Sequence, residues 1–303
     1  MRYKQSHFLS HRALCWCVLA AIPGSLYAAD GAAPVESRQV VPRPFRPADG
    51  VVYIDQNRVL AGGITPGDAA GFPATISQSG SYRLAGNLTV PDLNTAAIQI
   101  TADFVTLDLN GFSIAGPAVC TAGTVTTCPV PGTGIGVEAG GDQAPFPRGV
   151  RIFNGSVRGM GLLGILLNGS SSFVERVTVD SNAGGGMSVA GTVIQSAATQ
   201  NGSFGIIAAT IRDCTALQNA GDGIILSVNG GAATGNISSL NGGLGMAVQL
   251  GTATANTSFL NQAAGISALC PSSIVGNTIV TNGPASIETS GDGCALANNG
   301  MRP

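Results

Sequence analysis

Charge, aromatic rings and titratable bases are all scarce in this chain of 303 residues. Asp, Glu, Lys and Arg make up 10% of it, aromatics 5%, and it has one Trp and two His. The histidines are His7 and His11, the lone lysine is Lys4 and the lone tryptophan is Trp16. Beyond residue 29 there is therefore no imidazole for general-base chemistry near neutral pH and no ammonium for a Schiff base. In that part eleven arginines stand against sixteen acidic residues, a net charge of −5. Such a balance excludes the basic field that nucleic acid or an anionic lipid surface requires. Tyr53 and Tyr82 are the only tyrosines past residue 29. No dense acidic run offers the six or more oxygens of a Ca²⁺ site. No metal site and no cofactor is expected.

What is present begins with an N-terminus that reads as an export signal. Arg2, Lys4 and Arg12 precede the apolar run Ala13 to Ile22, and small residues surround Ala28 and Ala29. A bilayer span needs roughly 20 apolar residues, so this shorter run is a cleavable secretory segment and not an anchor. Residues 1–29 are expected to be the signal, cut near Ala28 or Ala29, with the protein secreted or periplasmic. Cys15 and Cys17 lie inside the apolar run, which argues against lipoprotein processing. Residues 30–50, rich in Pro and without periodicity, read as a flexible linker. The glycine-rich stretch 51–73 reads as the N-terminal cap of a repeat domain.

From Ala74 onward the pattern is β, with strand-length runs of period-two alternation broken by Asn-Gly and Gly turns. Between Ser181 and Ile287 one unit recurs six times: SNAGGGMSV, QNGSFGIIA, QNAGDGIIL, LNGGLGMAV, LNQAAGISA and TNGPASIET. Its asparagines, Asn182, Asn201, Asn219, Asn241, Asn261 and Asn282, are 19, 18, 22, 20 and 21 residues apart. A period near twenty with strand-like composition predicts a solenoid whose turns stack around a shared interior. Met187, Ile206, Ile224, Met246, Ile266 and Ile287 form one inward column. Val189, Ala208, Leu226, Val248, Ala268 and Thr289 form a second, and the mixed residues between them face outward. A third inward column runs through Val174, Val193, Ile211, Ala233, Ala253 and Ile274. Stacked asparagines are expected to form amide ladders, with Asn also supplying the left-handed backbone of a tight bend. Asn236, Asn256 and Asn277 are expected to form a second, shorter ladder.

Five cysteines lie beyond the signal. Adjacent turns of a stacked solenoid lie about 4.8 Å apart, which suits a disulfide. Cys270 and Cys294, one turn apart, are expected to pair, as are Cys120 and Cys128 in a loop-like insertion. That insertion, about residues 117–148, is the longest departure from the repeat. It reads as a disulfide-tied surface excursion, and is also the leading place for a functional loop. Cys214 is left as a buried small hydrophobe.

The strings ADFVTLDLNGFSIAG and GVRIFNGSVRGMGLLGILL, followed by the Asn and Gly-Ile units, resemble the right-handed parallel β-helix proteins of the pectin-lyase-like superfamily. The likeness runs from about Ala74 to Asn282. It implies an all-β, single-stranded right-handed parallel β-helix over residues 74–303. It also implies polysaccharide lyases, glycoside hydrolases, epimerases, tailspikes and adhesins as the range of functions. The catalytic signatures of that superfamily are missing: no Arg-x-Pro-x-x-Arg, no Gly-His-Gly, no Arg-Ile-Lys and no Tyr-Gly-Phe-Asp-Pro-His occurs.

What remains for chemistry is a small set of charges. Glu175 with Arg176 and Arg212 with Asp213 fall two turns apart at equivalent positions. Asp180 and Asp222 lie near the asparagine turn, and Arg148, Arg151 and Arg158 lie beside the insertion with Glu138 and Asp142. A glycosidase needs two carboxyls roughly 5 to 10 Å apart, so Glu175 with Asp213, or Asp180 with Asp222, are the candidate pairs. Arg151 and Arg176 are candidate catalytic bases, and Arg148, Arg158 and Arg212 candidate ligand contacts. Against these stands the plainer reading of solvated surface pairs. The expectation leans to a non-catalytic exported scaffold whose partner is a polysaccharide or cell-envelope glycan, with Phe146 or Tyr82 as candidate sugar contacts. The alternative is a polysaccharide lyase or glycoside hydrolase.

Overall fold

The structure is a computed structural model that describes residues 50–141, 145–227 and 230–302. The expected signal and nearly all of the expected linker lie outside the described residues. From Val51 onward the chain is a right-handed parallel β-helix of about ten turns. Each turn gives a short strand to each of three parallel sheets. The first sheet runs through Ala74–Ile76, Ile98–Ile100, Val137–Ala139 and Ile165–Leu167, then on through the repeat units. The second runs through Gly80–Leu84, Val105–Asp108 and the starts of Arg151–Arg158 and Phe173–Asp180. The third takes Ser113–Ala115 and the ends of those same two long strands.

Inward columns account for the core. Met187, Ile206, Ile224, Met246 and Ile266 are fully buried and stand in register, turn upon turn. The column from Val174 to Ile274 is likewise buried and in register throughout. On the last rung the columns thin out. Ile287 is partly buried and Thr289 exposed, because no further rung covers them among the described residues.

The asparagines do more than turn the chain. In each unit the left-handed residue is the one before the Asn: Ser181, Gln200, Gln218, Leu240, Leu260 and Thr281, with φ between 47° and 55°. That corrects the expectation that Asn supplies the left-handed backbone. The bend at the preceding residue aims the Asn side chain inward, where Asn182, Asn201, Asn219 and Asn241 are fully buried. There the Oδ1 of Asn201, Asn219 and Asn241 each accepts two bonds from the turn before it, while that of Asn182, at the foot of the ladder, accepts the Met160 N–H at 2.9 Å. The backbone N–H of Asn201 donates to Asn219 Oδ1 at 3.2 Å and its Nδ2 to the same oxygen at 2.8 Å. The second Nδ2 proton closes on a carbonyl, as from Asn219 to Ala198 at 3.1 Å. The second ladder runs Asn236, Asn256, Asn277 and on to Asn299, with side-chain bonds of 2.9 to 3.0 Å. Below it Cys214 takes the same station, its N–H donating to Asn236 Oδ1 at 2.9 Å.

At the other end, solenoid pairing reaches into the stretch expected to be a cap. Val51–Ile54 pairs in parallel with Ser81–Leu84. A helix, Gln56–Ala61, then folds over the first turn, capped by Asp55, whose Oδ1 accepts the Arg58 N–H at 3.0 Å. Val59 and Ile64 are fully buried beneath it.

Removing the Asn219 amide strands two donors of the turn below, the Asn201 N–H and Nδ2, and takes a donor from the Ala198 carbonyl and from Asn241 Oδ1. Asn219→Ala is expected to cost roughly 3 kcal/mol, since buried groups left unpaired cost about 1–3 kcal/mol each. Gln78→Ala, at an exposed position, is expected to change stability by less than about 0.5 kcal/mol. Denaturant unfolding of the two variants checks the difference.

Candidate functional site

The charges singled out in the sequence divide among different sides of the solenoid. On the third sheet, Ala115, Arg158, Asp180 and Thr199 stand on successive turns in one outward column. Arg158 and Asp180, with Ser181, line a shallow cleft of about 280 Å³ whose far wall is Gly116, Ala118 and Val119 at the start of the insertion. Asp180 Oδ1 accepts the Thr199 hydroxyl at 2.6 Å. Among the described residues Arg158 has no carboxylate within ion-pair distance. The cleft therefore offers one uncommitted cation beside one engaged carboxylate.

The wall of that cleft is held by the insertion itself. Cys120 and Cys128 are disulfide-bonded, with Cα atoms 4.2 Å apart. The loop they close lies along the outside of the asparagine corner as a strap. Cys120 Sγ lies 3.7 Å from the Asn182 carbonyl and Cys128 Sγ 3.9 Å from that of Gln200. Thr126 donates its hydroxyl to the Gln218 carbonyl, and Gln262 Nε2 donates to the Thr124 carbonyl at 2.6 Å. The strap thus touches turns from Asn182 to Gln262. Gly202 and Gly242 lie under it, but what excludes a Cβ there is first the stacking itself: it would stand 2.1 Å from the Ala183 carbonyl oxygen and 2.3 Å from that of Ala220, with Cys128 Cβ and Val125 Cγ1 next at 3.0 and 3.2 Å. Cys270 and Cys294 form the second disulfide across adjacent turns, with Cα atoms 4.9 Å apart.

On the second sheet Glu175 and Arg212 share a column two turns apart, through Ile194. Arg176 and Asp213 sit at the following corner, both with positive φ. Glu175 closes onto Arg176 as an ion pair, and Asp213 lies 3.6 Å from Arg212. Arg212 and Asp213 have side chains more than half exposed, where such a pair stabilises little. Arg151 stacks over the Phe173 ring, 4.8 Å from its centroid. Asp222 lies in the turn after Asn219, and its Oδ1 accepts the Leu244 N–H of the next turn at 2.7 Å. That is a backbone staple. Each member of the two candidate carboxylate pairs is tied to a neighbour of its own.

Two further carboxylates fix loops. Asp103 receives the Arg148 N–H at 2.8 Å and its guanidinium at 3.3 Å, and the backbone bond and then the cation hold its carboxyl below the usual range. Asp92 is lowered by the Asn94 N–H and the Thr95 hydroxyl. The spacing Asp-Leu-Asn-Thr is a legible signal for the second. Of the aromatic contacts expected for a sugar, Tyr82 is 2% exposed and donates its hydroxyl to the Gln78 carbonyl at 2.7 Å. Phe146 packs its ring over Gly140. Tyr82 is thus closed as a stacking surface, and Phe146 is partly buried. Phe173 is a surface ring that sequence reasoning missed, although its neighbour Val174 points inward and strand parity sends Phe173 out. Asp142 lies outside the described residues. Glu138 stands on the outer side of the first sheet between Gln99 and Leu166. Among the described residues no group of three or more His, Cys, Asp or Glu is placed to hold a metal ion.

Solved structures with this fold include the A-module of the mannuronan C-5 epimerase AlgE4 from Azotobacter vinelandii. It matches at 15% identity over 74% of this chain and 87% of the module, with a TM-score of 0.52. The Dettilon tailspike protein matches at 17% identity over 75% of this chain and 52% of its own, with a TM-score of 0.46. The periplasmic alginate epimerase AlgG matches at 12% identity over 84% of each chain, with a TM-score of 0.38. At these identities the likeness is one of fold. No protein-family model and no curated protein matches the sequence.

Cys214 is buried, its Sγ 3.2 Å from the Arg212 carbonyl, and burial pushes its thiol from 9.0 to about 11. A thiol raised on folding contributes stability below the unfolded value, lost as pH rises through the folded one. Stability is expected to fall between pH 9 and 11 in the native protein and to fall less in Cys214→Ala. Peptide mapping after alkylation at pH 8 is expected to find Cys214 unmodified until the protein is unfolded. A Cys120→Ser/Cys128→Ser variant is expected to keep its far-UV circular dichroism while proteinase K cuts within residues 121–127.

Proposed function

We propose that this protein is an exported, non-catalytic β-helix that presents its lateral faces to a polysaccharide or cell-envelope glycan. The observation that carries this reading is the engagement of every candidate carboxylate by a structural partner. Acid–base cleavage of a glycosidic bond needs two carboxyls that share a substrate and are free to move protons. Here Glu175, Asp180, Asp213 and Asp222 are each engaged by a different structural partner, on separate stations of the solenoid. Long flat sheets with outward Thr, Ser, Asn and Arg suit an extended polar polymer better than a small molecule in a pocket. The mannuronan epimerase module of the same fold acts, by its name, on a polysaccharide.

Export is supported by the signal-like N-terminus and by two disulfides, which persist in oxidising compartments. Among the described residues no helix is long and apolar enough to cross a membrane. The periplasm or the extracellular space is the proposed location.

One observation favours the second reading, a polysaccharide lyase or glycoside hydrolase: the uncommitted Arg158 beside Asp180 in the cleft. An arginine there can neutralise a substrate carboxylate, but a guanidinium does not readily serve as a base. The test is a panel of neutral and uronate polymers, followed by affinity electrophoresis, reducing-end release and the absorbance of unsaturated product. Retardation without product is the expected result. Product formation that disappears in Arg158→Ala or Asp180→Asn would establish the catalytic reading, and no retardation by any polymer would remove the glycan partner.

A further inference from the structure

We infer that the outer face of the second sheet, where it crosses three successive turns near residues 104–108, 151–154 and 173–176, is a binding site for an anionic saccharide bearing carboxylate or sulfate groups. The register builds the site. Thr106, Arg151 and Phe173 stand in one outward column, and Asp108, Phe153 and Glu175 in the next. Phe104, two residues before Thr106, sits at the corner with φ of 55° and is 66% exposed, its ring lying over Gly149. Three phenyl rings and one arginine thus occupy neighbouring stations in a chain that is 5% aromatic.

The fold does not require rings at these positions. Higher on the same columns the equivalents of Phe173 are Thr192 and Thr210, and those of Phe153 and Glu175 are Ile194 and Arg212. Thr serves at the first set of stations and Ile and Arg at the second, so the strand geometry does not demand a ring at either. Phenyl faces receive the apolar faces of sugar rings, and two rungs of the solenoid span roughly 10 Å, enough for a short oligosaccharide.

Charge selects the anion. Arg83, Arg148, Arg176 and Arg212 each have a carboxylate partner. Arg151 has none among the described residues. It lies over Phe173, its Cζ 4.8 Å from the ring centroid, and is exposed, with its fork of donors available for a planar carboxylate or a sulfate. The acids nearest to it are already spoken for. Asp108 is held by Arg83 Nε at 3.0 Å and by Asn154 Nδ2 at 3.4 Å, Asn154 Oδ1 accepts from Arg176 Nε at 3.0 Å, and Arg176 pairs with Glu175. This chain of contacts crosses four turns, fixes the rim and lowers the repulsion an incoming anion would meet.

The site rests on the proposed glycan partner and adds its place and its charge class. The test is titration calorimetry of the full chain with an oligogalacturonate, a sulfated oligosaccharide and a neutral cello-oligosaccharide. The expected result is binding of one or both anionic probes, not of the neutral one, and the stronger anionic probe identifies the group recognised. Arg151→Ala and Phe173→Ala are each expected to weaken it about tenfold, Arg151→Lys less, and Arg302→Ala, an equal charge change elsewhere, by less than about twofold. Unchanged far-UV circular dichroism and unfolding midpoints show that the variants fold. Binding left intact in Arg151→Ala and Phe173→Ala overturns this site while the glycan reading stands; equal binding of the neutral probe overturns the charge class. No binding of any probe, together with no retardation by any polymer, overturns both.

Discussion

Every turn of this protein is held to the next by hydrogen bonds that point along the solenoid axis, and the asparagine ladders are where that constraint is tightest. Strand pairing satisfies the backbone along the three sheets, but a corner between sheets leaves buried N–H groups with no strand opposite them. Asn219 Oδ1 takes two of those donors from the turn below, and its Nδ2 returns one to a carbonyl. Without this closure each corner would bury unpaired polar groups at a cost that apolar stacking at Ile224 and Leu226 would have to offset. The regular period arises from the ladder, since an amide one turn away must return to the same station.

Fixing the interior in this way leaves the exterior free to vary, and variation is where function is to be sought. Three features break the repeat: the strap of Cys120–Cys128, the cleft of Arg158 and Asp180 beside it, and the rings and arginines around Arg151. The strap and the cleft are one construction, because Ala118 and Val119 form both the root of the strap and the wall of the cleft. The surface around Arg151 lies on another sheet. Gly202 and Gly242 are fixed by the close approach of the Ala183 and Ala220 carbonyls of the preceding turn, a constraint on unit sequence that comes from stacking.

The fold and its core were legible in the sequence because a solenoid repeats its packing problem every twenty residues. The inward columns at Met187 and Val189 and the second ladder at Asn236 can be read by alignment of the units, and the Cys270–Cys294 disulfide from its spacing of about one turn. The bend falls one residue before the position that the repeat suggests, since Ser181 and its equivalents vary in identity while Asn182 does not, and the eye follows the constant letter. The surface is harder to read. Glu175, Asp180, Asp213 and Asp222 look alike in sequence, and only placement shows that two meet an arginine, one a threonine hydroxyl and one a backbone N–H. Tyr82 looks like a surface ring in sequence, although its parity on Gly80–Leu84 buries it. Phe104 and Phe173 come together with Arg151 only because three distant stretches stack.

The central claim is that this scaffold meets its ligand on the outer face of the second sheet and does no chemistry on it. Hydrogen exchange read by mass spectrometry, with and without an oligouronate that binds, tests this directly. The account predicts added protection in peptides covering residues 104–108, 151–154 and 173–176, with the oligosaccharide recovered unchanged. Protection confined to Gly116–Val119 and the turn at Asp180–Ser181, accompanied by cleaved or unsaturated product, would contradict it.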